Sequence, residues 1–159
     1  MILVTLGTFP LAFDRPLVSI HEACQSGLIQ SEVIVQSGHT HFESDFLEMR
    51  PFIPLQELTE LTRSAELIIS QAGSGSLILA VRNGKKTIAV PRLVKYDEVV
   101  DDHQLELMKV FVDEGYVLPW YETDSFPEIL EQIKSFQPNE YISNKQTIID
   151  YLEDYINSL

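Results

Sequence analysis

Residues 66–91 read ELIISQAGSGSLILAVRNGKKTIAVP. The apolar run Leu67-Ile68-Ile69 stops at the small, polar loop Ser70 to Ser76. A second apolar stretch, Leu77 to Val81, closes at Asn83-Gly84, and Thr87 to Val90 then runs into Pro91. This pattern predicts strand, Gly/Ser turn, helix, strand. Such a turn opens a helix N-terminus with free backbone N–H groups, the place where α/β proteins hold phosphate.

Working outward, Ile2 to Leu6 predicts a buried strand broken by Gly7-Thr8-Phe9-Pro10. Asp14 is placed to N-cap a helix with Pro16 in its first turn and Leu17, Ile20, Cys24 and Leu28 on one face. Glu32 to Gln36 predicts a second strand, ended by Ser37-Gly38. Residues 42–49 predict a short helix, Phe52-Ile53 a short strand between prolines, and Leu55 to Arg63 a helix. Beyond the opening segment, Asp101 to Glu114 predicts a helix and Tyr116 to Leu118 a short strand. A Ser125-capped helix follows over 126–135, with Phe126, Ile129, Leu130 and Ile133 apolar. A last helix is expected over 141–158, with Ile148, Leu152, Tyr155 and Ile156 as a stripe. Strands alternating with helices imply a single Rossmann-like α/β domain, residues 1–159, with a parallel sheet between helices.

Composition bounds the function. The 159 residues suffice for one core, and 45% hydrophobic content is that of a globular chain. No run reaches the roughly 18 apolar residues of a membrane span. Met1 leads straight into Ile2-Leu3-Val4, so no signal peptide is expected. The single Cys24 has no internal disulfide partner and fits a reducing, cytoplasmic setting. A net charge of −13 repels nucleic acid and anionic lipid, so neither is an expected direct partner. An anionic ligand must then be held locally, by helix N-termini, backbone amides and a few basic residues.

Three small-residue loops follow strands: Gly7-Thr8, Ser37-Gly38 and Ala72 to Ser76. In a parallel sheet all three open onto one edge, where ligands bind. Each alone is an ordinary turn; together they favour an anion site. No G-x-G-x-x-G follows the first strand and no Walker lysine follows Gly73 or Gly75. Arg92 and Lys95, followed by Asp101-Asp102-His103-Gln104, form a second constellation. N-capping accounts for the acids; His103 and Gln104 are either surface groups or hydrogen-bond partners of a polyhydroxylated ligand. His39-Thr40-His41 lacks a carboxylate cluster and makes a poor metal site, so no metal is expected.

VTLGTF at 4–9, VQSG at 35–38, FIP at 52–54, SQAGSGS at 70–76, NGK at 83–85, VPR at 90–92 and DDHQLEL at 101–107 together resemble the donor-binding half of glycosyltransferase family 28. The resemblance is nearest to short, single-domain members. These include the small subunit of the eukaryotic transferase acting on dolichol-linked GlcNAc, and bacterial capsule and exopolysaccharide subunits. The resemblance implies the C-terminal half of a GT-B enzyme using a UDP-sugar as co-substrate, without a separate cofactor. Gly7 and Thr8 would lie near the diphosphate, with Gly73, Ser74, Gly75 and Ser76 at the helix N-terminus facing it. Backbone at Phe52 and Ile53 would meet the uracil, His103 and Gln104 the donor sugar, and Arg92 or Lys95 would supply a cation. Where many full-length members carry a ribose-gripping glutamate, this sequence has Leu79.

The resemblance further implies a second chain. Complete enzymes of this architecture have two Rossmann-like domains, with the candidate general base on the acceptor side. The expected partner is a membrane-associated subunit that binds a lipid-linked saccharide acceptor and brings this chain to the membrane. The 141–159 segment is a candidate docking surface, or packs on its own domain. The expected function is the UDP-sugar-binding subunit of a two-chain inverting glycosyltransferase. The alternative is a non-catalytic subunit that stabilises its partner.

Overall fold

In the computed structural model, which describes residues 1–143, six parallel strands form one sheet in the order β3-β2-β1-β4-β5-β6. The chain runs through β1 (Ile2–Thr5), α1 (Arg15–Gln25), β2 (Val33–Gln36), β3 (Leu47–Arg50), α2 (Leu55–Ser64), β4 (Leu67–Gln71) and α3 (Ser74–Arg82). It continues through β5 (Thr87–Val90), a 3-10 turn (Val94–Tyr96), α4 (His103–Asp113), β6 (Leu118–Pro119) and α5 (Phe126–Ser135). Val4 lies opposite Val35 on one side and Ile69 on the other. β1 is where the strand order reverses, and the crevice beside it, between the carboxyl ends of β1 and β4, is the usual ligand site of such sheets.

Every residue of β1, β2 and β5 is buried, as central parallel strands covered on both faces require. Alternation sorts the side chains. Val4, Val35, Ile69 and Ile88 pack against Leu17 and Ile20 of α1 and against Ile129 and Ile133 of α5. Leu3, Ile34 and Ile68 face the other way, toward Leu58 and Leu61 of α2 and Ala80 of α3. Leu77, Val81, Met108 and Phe111 extend that second layer under α3 and α4. Truncating a fully buried residue such as Ile69 to alanine costs about 2–5 kcal/mol.

The two lysines after Gly84 fix helices on opposite faces. Lys85 Nζ donates to the carbonyls of Arg63 and, at 2.9 Å, Ala65, at the end of α2. Lys86 Nζ donates to those of Ile133 at 3.1 Å and Lys134 at 2.6 Å, at the end of α5. A cation at a helix C-terminus meets the partial negative charge of the exposed carbonyls.

Two expected elements are corrected. Residues 42–49 are not a helix, and Phe52-Ile53 is not a strand; a loop leads instead into edge strand β3. Leu47 faces the core, whereas Glu48 and Arg50 pair with each other at 2.6 Å on the outside. That alternation suits an edge strand. Pro51 and Pro54, lacking N–H donors, leave 51–54 as a connection in which Ile53 turns into the core. α1 ends at Gln25, with Gly27 in the left-handed region at φ +78°, so Leu28 lies past the helix and is 51% exposed. Asp14, Asp102 and Ser125 occupy N-cap positions without side-chain capping bonds. Among the described residues no helix is long and apolar enough to cross a membrane. The stripe from Ile148 to Ile156 lies outside the described residues.

Candidate functional site

A cleft of about 550 Å³ opens at the carboxyl ends of β1 and β4. Gly7 and Thr8 form one wall and Gly73 to Ser76 the other, with Gln36 and Gln71 from the strand ends between them. The cleft then runs along α3, past Ile78, Leu79 and Arg82, beside Leu55 and Leu58 of α2.

The loop geometry is set by glycines. Gly7 sits at φ +73°, and a Cβ there would fall 1.8 Å from Gln71 Nε2. Gly38, at φ +57°, would place a Cβ 2.3 Å from the Gly7 carbonyl oxygen. The loops after β1 and β2 therefore stack at backbone distance, and the Gln71 side chain at the end of β4 fills the space under Gly7, an approach only glycine permits.

Gly73 is the N-cap of α3, with extended backbone and no side-chain oxygen capping the helix. The first helical bond runs from Leu77 N to Gly73 O at 3.1 Å. The N–H groups of Ser74, Gly75 and Ser76 thus lack helical acceptors and carry the positive end of the helix dipole, at residues that line the cleft. A Cβ on Gly75 would meet nothing within 4 Å. No neighbour demands glycine there, although glycine in a helix costs about 0.5–1 kcal/mol relative to alanine. The open space above Gly75 suits a ligand approaching the backbone.

Arg92 stands behind this cleft rather than in it. It is 1% exposed, and its guanidinium donates to the carbonyls of Leu6 at 3.0 Å, Leu11 at 2.8 Å and Glu98 at 2.9 Å, and to Gln71 Oε1 at 2.7 Å. It lies over the Phe13 ring at 4.8 Å. Burial pushes its pKa down to about 10, partly offset by the Glu98 charge, so it remains a cation at neutral pH. The buried Glu98 carboxylate accepts from Arg15 Nε at 3.0 Å and Leu93 N at 2.9 Å, closing the loop after β5 on itself. Arg92 therefore clamps the β1 loop and aims Gln71 beneath Gly7.

Of the residues singled out from sequence, Gly7, Thr8, Gly73, Ser74, Gly75 and Ser76 come together around the cleft, and Leu79 lines it. His103, Gln104, Phe52, Ile53 and Arg92 are not among its lining residues. Gln104 Oε1 accepts from Arg92 N at 3.1 Å, a packing role the sequence did not reveal. His103 is exposed beside Glu106. Phe52 is 58% exposed, edge-on to His39, and the Ile53 side chain is buried just before Leu55 enters the cleft. Lys95 points outward, paired with Glu122. Among the described residues no cluster of three or more His, Cys, Asp or Glu is placed to hold a metal ion.

Residues 1–155 match the glycosyltransferase family 28 C-terminal domain. The chain belongs to that family. It is a glycosyltransferase domain, with the fold of the C-terminal half of GT-B enzymes. A curated relative, UDP-N-acetylglucosamine transferase subunit ALG13 of Yarrowia lipolytica, is 30% identical over 135 residues, covering 79% of this chain and 67% of the relative. The solution structure of ALG13 matches with a TM-score of 0.56 at 20% identity, over 95% of this chain and 94% of that one. MurG of Acinetobacter baumannii matches with a TM-score of 0.54 at 20% identity, over 84% of this chain. A kitacinnamycin glycosyltransferase matches at 0.60 and 14% identity, also over 84%. The family 28 domain described here spans 40% and 34% of the length of those last two proteins.

Gln36, Gln71, Leu55, Leu58, Ile78 and Arg82 line the cleft without having been singled out from sequence. The glutamines end their strands and were legible as the last residues before two of the small-residue loops. Leu55 carried no signal: a leucine in the first turn of an amphipathic helix reads as core, yet it is 74% exposed at the rim of the cleft.

Proposed function

We propose that this chain is the UDP-sugar-binding, catalytic subunit of a two-chain inverting glycosyltransferase. It extends a lipid-linked saccharide at the cytoplasmic face of a membrane, in capsule or exopolysaccharide biosynthesis. The observation that carries the reading is the uncapped N-terminus of α3 set across a 550 Å³ cleft from the Gly7-Thr8 turn. The relative named as a transferase subunit supports a two-chain enzyme.

In the proposed reaction an acceptor hydroxyl attacks the anomeric carbon from the face opposite the diphosphate. The bond from that carbon to the diphosphate oxygen breaks, and UDP leaves with both electrons. Negative charge grows on the leaving oxygens, and N–H groups already oriented at Ser74, Gly75 and Ser76 stabilise it without reorganisation. The acceptor proton goes to a general base on the partner, a membrane-associated subunit that also holds the lipid-linked acceptor. The scheme uses the helix N-terminus in place of a metal.

Titration calorimetry tests this. UDP is expected to bind the chain weakly and to bind the complex with its partner measurably; absence of heat in both sinks the reading. Leu79, apolar and lining the cleft, favours a second reading, in which the chain has lost donor binding and only stabilises its partner. Replacing Ser74 and Ser76 together with leucine separates the two. Transfer by the complex collapses under the first reading and persists under the second.

A further inference from the structure

The cleft has two chemically different halves. One is polar: the Gly7-Thr8 turn, Gln36, Gln71 and the free N–H groups of α3. The other is aliphatic, walled by Leu55 and Leu58 of α2 and by Ile78 and Leu79 of α3. At the aliphatic end stands Arg82. It is the one charged side chain among the described residues that line the cleft. Among the described residues it makes no ion pair; its guanidinium lies 5.6 Å from the Tyr141 ring.

Helix geometry gives the spacing. Gly75 and Arg82 are seven residues apart on α3, about 10 Å along the axis at 1.5 Å per residue. Side chains on a helix lean back toward its N-terminus, so the Arg82 side chain is long enough to extend from beside Tyr141 into that interval. A diphosphate held at Ser74 to Ser76 therefore leaves Arg82 facing what is attached beyond the phosphates. A ring with apolar faces and polar edges fits such a half-site, with Leu58 and Leu79 against its faces. Leu79 offers a hydroxyl no acceptor. Arg82, three residues further on the same helix face, offers donors instead.

Resting on the reading above, we propose that Arg82 recognises the nucleoside half of the donor. Its guanidinium donates to the neutral oxygen acceptors of the ribose and pyrimidine and does not touch the diphosphate. Recognition at this end then depends on acceptors in the ligand: a base edge presenting carbonyl oxygens is favoured over one presenting an amino group.

The test is UDP binding by calorimetry, on the chain with its partner, across a salt series. Arg82 is exposed, so Arg82→Gln is expected to keep the fold, checked by its melting curve. Arg82→Lys, which keeps charge but loses the planar fork, serves if the first variant melts early. Arg82→Gln is expected to weaken UDP about tenfold, the worth of one charge-assisted hydrogen bond, and Arg82→Lys by less. The slope of log affinity against log salt stays that of the native chain in both. Unchanged affinity overturns the inference. Weaker binding with a shallower slope also overturns it, because the lost contact was then to phosphate. Failure of the native complex to bind UDP removes the underlying reading and this one with it. Tight native binding with equal binding by the variants removes only this one.

Discussion

Two positive centres lie at the same edge of the sheet, and they are used in opposite ways. Arg92 carries a full charge, yet four acceptors in the protein surround its guanidinium at 2.7–3.0 Å and almost none of it reaches solvent. The N-terminus of α3 carries only a partial charge, but its three leading N–H groups lack helical acceptors and lie at a cleft. A charge already satisfied inside the protein has no capacity left for a ligand, however basic the residue. Unsatisfied donors on a rigid helix retain that capacity in full. The arginine, the more conspicuous residue in the sequence, is thus the frame, and the small residues are the site.

The largest way to break this comparison is Arg92→Met. It removes the donor from the carbonyls of Leu6, Leu11 and Glu98 and from Gln71 Oε1, while the Glu98 carboxylate keeps its ion pair with Arg15. A loss of about 3–5 kcal/mol is expected from denaturant unfolding, as when several acceptors inside the protein lose their donor together. Native stability in this variant would place Arg92 outside the frame.

Next is Gly7→Ala. Its positive φ and the 1.8 Å approach of Gln71 force either the turn or the glutamine to move. The change is expected to cost about 1–3 kcal/mol, with loss of UDP binding in the same preparation.

Gly75→Ala sharpens the comparison, because its two effects have opposite signs. The free space around Gly75 and its helical backbone predict a gain of about 0.5–1 kcal/mol in thermal unfolding. The same methyl group intrudes on the phosphate approach, so UDP affinity falls. A variant that is both more stable and equally tight would show that the space is not used. Smallest of all is Lys95→Gln. With its ammonium exposed and paired to Glu122 on the surface, neither stability nor UDP affinity is expected to change, as a titration against the native chain checks.

The fold was legible in sequence wherever one periodicity dominated. β1, β2, β4, β5 and the helices α3 to α5 lie within a residue or two of where apolar runs and Gly or Pro breaks put them. The misreading fell at 42–53, where an edge strand half exposed to water carries Glu48 and Arg50. Charged alternation there resembles a helix face as much as a strand. In the site, backbone donors were legible because glycine and serine announce them. Arg92 and Gln104 were not, because no local pattern tells whether a polar side chain will find its acceptors inside the protein. Arg92 finds acceptors on segments more than 80 residues away, and Gln104 Oε1 finds its donor in the backbone N–H of Arg92.

The most direct measurement is an NMR titration of the isotopically labelled chain with UDP, following the amide resonances one by one. The amides of Ser74, Gly75 and Ser76 should shift furthest, together with Gly7 and Thr8, on a single saturating curve, while the amides of Lys95 and His103 stay near their starting positions. Shifts centred on Lys95 and His103, or an unmoved α3 N-terminus at saturating UDP, would contradict the assignment of the uncapped helix as the donor site.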